Sequence, residues 1–176
     1  MRVILADVIS LNGKITKGSN PDIRSWSSSE DLEHFVKLRD GCDVIIIDRK
    51  TYELVQPKPE KGKLRIVFTS TPERFSNASS PGQLEFIDVL PATLIERLAK
   101  DGYNRVLIAG GARLSSSFFE AQLIDDLYLS FEPVLFGTGR PMLDEGSLNV
   151  SLQLESVTRL NERGTLLAHY SVIKTD

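Results

Sequence analysis

Apolar residues along this chain fall into short unbroken runs separated by stretches of helical spacing, the pattern of buried strands alternating with covering helices. Residues 2–9 alternate β-branched and small side chains around Asp7 and read as a first strand whose two faces meet different environments. Residues 42–47, Leu64–Phe68, residues 84–89 and the run Val106, Leu107, Ile108 read as further strands. Between them, residues 26–39 open on Trp26 and a serine run followed by Glu30 and Asp31. Leu32, Phe35, Val36 and Leu38 then recur at helical spacing, so this is a capped amphipathic helix ended by Gly41. Residues 48–55 form a strand-to-helix turn with Arg49, Lys50 and Thr51 at the helix start, and Pro91–Lys100 is a helix with proline in its first turn. Strands alternating with helices predict right-handed crossovers and a mainly parallel sheet covered on both faces. The pattern changes after Leu123: residues 125–131 are a strand, a loop rich in glycine and proline follows, and residues 150–159 and 165–173 flank a turn at 161–164. The expectation is a single α/β domain over 1–176, with a mixed sheet ending in an antiparallel hairpin.

Three of the expected strand ends carry distinctive chemistry. They are DRKT at 48–51, TST at 69–71 and AGG at 109–111, and in an open α/β sheet the carboxyl ends of parallel strands share one rim, where ligands settle. Gly110 and Gly111 let backbone amides approach a ligand, and the helix after them adds unpaired donors, so a phosphate suits that corner; a plain turn into a helix needs the same residues. Thr51 and Ser70 can cap turns, and Arg74 can sit in solvent or meet an adenosine 2′-phosphate. Taken together, the three corners favour a dinucleotide. The polar loop at 10–20 is longer than most connections, as binding loops often are.

Composition narrows the classes. With 176 residues, 41% hydrophobic and 26% charged, the chain can bury a substantial core, and a net charge of −3 argues against a general nucleic-acid binder. The single cysteine, Cys42, permits no internal disulfide, and no Cys/His cluster has zinc spacing, so a reducing cytoplasm and no structural metal are expected. No stretch reads as a signal peptide or a membrane span.

SLNGKI at 10–15, KLRDGCDVIIIDRKT at 37–51 and, above all, VLIAGGARLSSSFFEAQLIDDLYLSFEPVLFGTGRPML at 106–143 resemble the reductase domain of riboflavin biosynthesis, within the dihydrofolate-reductase-like superfamily. The resemblance implies a three-layer αβα sandwich, NADPH as hydride donor, a phosphorylated small-molecule substrate and a homodimer. By position, Gly110, Gly111, Ala112, Arg113 and Leu114 would cradle the pyrophosphate, Arg49, Lys50 and Thr51 would take its other side, and Ser70 would lie near the adenosine ribose. Ser10, Asn12, Gly13 and Lys14 would frame nicotinamide and substrate, with Lys14 meeting the substrate phosphate; Trp26 would wall the pocket or pack in the core. The chain departs from that family at Asn12, where an aspartate is usual, at Asp48, where a glycine is usual, and at Ala109, where an acid is usual. Asp48 beside a diphosphate is repulsive unless it turns away or pairs with Arg49 or Lys50. SSEDLEHF is also similar to the helix that carries the proton-donating acid of dihydrofolate reductases; Asp31 would be that acid and Glu30 the fallback, or both would be charges favoured in a first helical turn. Two other functions therefore stand beside the riboflavin-type reductase: a pteridine reductase of dihydrofolate type, and a non-catalytic nucleotide-binding dimeric module.

Overall fold

A computed structural model describes residues 1–174. Strands β1 (Arg2–Ser10), β2 (Val44–Asp48), β3 (Leu64–Phe68), β4 (Leu84–Ile87), β5 (Arg105–Ile108) and β6 (Asp126–Glu132) run parallel. β7 (Ser151–Arg159) and β8 (Leu166–Ile173) form the antiparallel hairpin, and all eight strands join one sheet in the order β4-β3-β2-β5-β1-β6-β8-β7. Helices α1 (Ser29–Asp40), α2 (Arg49–Val55), α3 (Pro91–Lys100) and α4 (Ala112–Glu120) are the crossovers. The αβα sandwich and mixed sheet expected from the sequence are present, and β3 and α3 have the expected ends.

Strand parity assigns the layers. Val3, Leu5, Val106 and Ile108 pack with Ala112, Leu114 and Phe118 of α4 and with Leu94 and Leu98 of α3. The alternate residues Ile4, Ala6 and Leu107 pack with Leu38 of α1, while Ile45 and Ile47 meet Tyr52 of α2. The central strands are apolar on both faces because both are covered, as parallel sheets require. At α1, Ser28 rather than Trp26 begins the helix: its side-chain oxygen accepts the Asp31 amide at 3.3 Å. Strand β6 lies one residue later than the sequence pattern implies, which brings Glu132 into it.

Phe118 has no exposed surface and meets Phe68 edge-on, with ring centroids 5.8 Å apart. Phe118→Ala empties the centre of the α4 layer and is expected to cost about 3–5 kcal/mol, measured by urea unfolding.

Candidate active site

The chain leaves β1 towards α1 on one face and leaves β5 towards α4 on the other, so a crevice opens between the carboxyl ends of these neighbouring strands. The cleft there has a volume of about 870 Å³. Pro21, Ile23, Leu32, Phe35, Leu54 and Val55 give it apolar walls, and Asp7, Asp31, His34 and Ser130 place polar groups along it. Four cations border it: Arg24 is paired with Asp22 and Arg39 with Asp40, whereas Lys50 and Arg140 have no ion-pair partner among the described residues.

The β2–α2 and β5–α4 corners touch. A Cβ on Gly110 would lie 2.5 Å from Leu114 Cδ2 and 3.3 Å from the Asp48 amide nitrogen, and one on Gly111 would lie 3.0 Å from Asp48 Oδ2, so a side chain at either glycine would make Leu114 or Asp48 give way. The corners differ chemically. Asp48 accepts the Thr51 amide at 2.9 Å and so fills the start of α2 with its own carboxylate. Gly111 caps α4 without a side-chain hydrogen bond, so the first amides of that helix keep donors for a ligand, with the Asp48 carboxylate beside them. Asp48 therefore neither turns away nor pairs with Arg49, whose guanidinium goes to Glu53 at 2.6 Å. Arg49 is accordingly outside the cleft lining, while Lys50 and Thr51 remain in it.

The carboxyl groups give the cleft its acid chemistry. Asp31 is buried, and its pKa is pushed up to about 6: burial is the main cause, the Glu132 charge adds to it, and hydrogen bonding from Ser130 opposes it. Asp7 is raised further, to about 8, by burial and by the Asp31 charge, against one hydrogen bond from the Val8 amide; its Oδ2 is shut off from solvent without a partner. His34, one turn beyond Asp31, has its pKa lowered by burial and by Lys37, and its Nε2 is also unpartnered. Near neutral pH the site thus combines a protonated Asp7 with an Asp31 poised to exchange a proton.

The loop after β1 is placed differently from the expectation. Ser10 is fully buried and donates to Asn12 Oδ1 at 2.8 Å, while Asn12 donates to the Phe136 carbonyl at 2.7 Å. The Ser10 amide bonds the Lys14 carbonyl, and Lys14 pairs with Pro141, so Ser10, Asn12, Gly13 and Lys14 are zipped against the 133–141 loop and do not line the cleft. Ile15, Thr16 and Gly18 reach it instead. Trp26 packs edge-on against Phe136 at 5.2 Å and belongs to the core. Ser70 is exposed beyond β3 and outside the cleft. Ala112 and Leu114 are buried and so offer only backbone to a ligand at the diglycine turn, and the exposed Arg113 lies outside the cleft lining.

The family model of the RibD C-terminal domain matches residues 2–166. The chain belongs to this family. Relatives of this RibD C-terminal domain include the uncharacterized protein YwjB of Bacillus subtilis, 26% identical over 96% of this chain and 97% of its own length. The 2,5-diamino-6-ribosylamino-4(3H)-pyrimidinone 5′-phosphate reductase of Methanothermobacter thermautotrophicus is 25% identical over 97% of both chains. Two solved structures share the fold. A riboflavin biosynthesis protein from Shewanella, so described in its crystal structure as putative, has TM-score 0.80, 21% identity and coverage of 99% and 100%. Dihydrofolate reductase of Enterococcus faecalis has TM-score 0.66, 19% identity and coverage of 98% and 97%. Among the described residues of this RibD-family chain, no helix is long and apolar enough to cross a membrane, and no group of three His, Cys, Asp or Glu could hold a metal ion.

Asp7, His34 and Arg140 line the cleft without having been singled out as site residues from the sequence. For Asp7 the signal was present: a carboxylate inside an otherwise apolar strand must be satisfied, shifted or functional. Its raised pKa sets a sign for stability. The unfolded Asp7 ionises near 3.8 and the folded one only near 8, so stability falls as pH rises from 3.8 and the loss is complete above 8. Asp7→Asn removes that loss: its melting temperature should match the wild type near pH 4 and exceed it by roughly 5 °C or more at pH 8.5 in circular-dichroism melts.

Proposed function

We propose that the chain is an NADPH-dependent reductase of riboflavin-biosynthesis type, acting on the ribosyl group of 5-amino-6-(5-phosphoribosylamino)uracil or a close relative and leaving a ribityl group. The observation that carries this reading is one cleft joining an open helix start at Gly111 to a proton-exchanging acid at Asp31. The residues fit a dinucleotide: Gly110 and Gly111 keep the corner free of Cβ atoms, and the first amides of α4 are available to a diphosphate. Lys50 and Thr51 border the same space, while Ser70 and Arg74 lie beyond it towards β3, where an adenosine arm would extend. Bound there, the cofactor would supply a hydride to the sugar carbon attached to nitrogen as that carbon's bond to the ring oxygen breaks, the freed oxygen taking up a proton. Asp31 would give the accompanying proton, the apolar walls would exclude water, and Arg140 with Lys50 would meet the substrate phosphate in place of Lys14. Cytoplasmic placement and a second copy of the chain belong to the same proposal. The uncovered strand β7, which exposes Leu154 and Val157, supports such pairing.

Asp31 in the cleft also favours a second reading, reduction of a pteridine, in which the same carboxyl would protonate the ring. Fluorescence titration with NADPH and NADH, followed by NADPH-oxidation assays with the phosphoribosylaminopyrimidine and with dihydrofolate, separates them. The expected result is micromolar NADPH binding, weakened at least about tenfold by Gly111→Val, and turnover of the phosphorylated pyrimidine. Asp31→Asn should retain NADPH binding and lose on the order of 10²–10⁴ in kcat. Turnover of dihydrofolate alone would establish the second reading, and binding of neither cofactor would overturn both in favour of a non-catalytic module.

A further inference from the structure

Glu132 ends β6 with no exposed surface, and its two carboxylate oxygens hold two separate pieces of chain. Oε1 accepts the Ser28 amide at 2.6 Å, and Oε2 accepts the Thr165 hydroxyl at 2.8 Å. Ser28 is the residue whose side chain caps the Asp31 amide. Thr165 leaves the hairpin turn, where Asn161 Oδ1 accepts the Gly164 and Thr165 amides at 3.0 and 3.1 Å. Asn161 Nδ2 in turn donates to Thr165 Oγ1 at 2.9 Å and to Glu30 Oε2 at 3.3 Å. The end of β6, the hairpin turn and the first turn of α1 thus form one polar network, and Asp31 is the residue that network delivers into the cleft.

We infer that Glu132 is a positioning residue for Asp31: its carboxylate clamps the first turn of α1 to the hairpin turn and so sets where Asp31 stands in the cleft. Both Glu132 oxygens act as acceptors, and Ser130, two residues earlier on the same face of β6, hydrogen-bonds Asp31. Asp31 is faced by Asp7 from β1, by Ser130 and Glu132 from β6, and by His34 from its own helix; Arg24, Arg39, Lys50 and Arg140 line the same cleft. The Glu132 charge opposes ionisation of Asp31, and the Thr165 hydroxyl tempers that charge. The usefulness of this clamp to catalysis rests on the reductase reading, in which Asp31 supplies the proton.

Carboxyl-detected NMR titration of Asp31 in the full chain tests the clamp without turnover. Glu132→Gln should lower the Asp31 midpoint by on the order of one pH unit. Thr165→Val, which keeps the carboxylate and removes the hydroxyl that tempers it, should raise the midpoint. Shifts of opposite sign show Asp31 held within reach of the Glu132 carboxylate, whereas a general loosening of the helix start would move both variants the same way. Unmoved midpoints, or movement in one common direction, would overturn the inference; should Glu132→Gln fail to fold, an unmoved midpoint in Thr165→Val does so alone. In the reductase, kcat should fall as pH rises through the Asp31 midpoint, and that fall should begin at lower pH in Glu132→Gln. NMR shifts as expected, with no turnover by the wild type, would leave the clamp standing and sink the reductase reading.

Discussion

The site depends on a constraint of topology: β1 and β5 are neighbours, yet the chain leaves them towards opposite faces of the sheet. No crossover covers the gap between their carboxyl ends, so a crevice is unavoidable there. Its floor is the ends of the strands, and its sides are the starts of the helices that follow. Every group with chemistry in the cleft arrives by that route. Asp7 stands on β1 itself, Asp31 on the first turn of α1, and the diglycine at the exit of β5.

A crevice made this way is deep and apolar, and depth changes what a carboxyl can do. In solvent Asp7 and Asp31 would both be ionised at neutral pH. Within the fold burial raises both, the Asp31 charge adds to the rise at Asp7 and the Glu132 charge to that at Asp31, so Asp7 keeps its proton at neutral pH and Asp31 exchanges one just below it. The cations nearest the mouth are either engaged by Asp22 and Asp40 or, like Lys50 and Arg140, exposed. Acid inside and positive charge outside is an arrangement suited to a ligand with a polar head and an anionic tail.

Much of the fold was legible because parallel strands buried on both faces write themselves as unbroken apolar runs, and because proline and glycine punctuate α3 at both ends. The diglycine corner was likewise legible as a tight turn into a helix, whereas Asp48, read as a charge that a diphosphate would repel, proves to be the cap of α2. The loop after β1 was not. SLNGKI carries a familiar order of residues, but whether Lys14 faces the cleft is decided by pairing with Pro141, more than a hundred positions away, and local spacing carries no trace of that contact. For Trp26 the choice between pocket wall and core, left open by the sequence, is likewise made by a distant partner, Phe136. Glu132 lay hidden at a strand end, where one residue of uncertainty in the boundary separates a loop acid from a buried one.

Asp48 has a wider consequence. A helix that begins with its own anion is complete when the protein is empty, whereas the start of α4 keeps spare donors that only an occupant or water can satisfy. One bank of the crevice is therefore finished at synthesis, and the other is finished by cargo. Whatever stiffening a nucleotide brings should spread from α4 into the layer built on Phe118, because free energy gained on binding adds to the stability of the elements that touch the ligand.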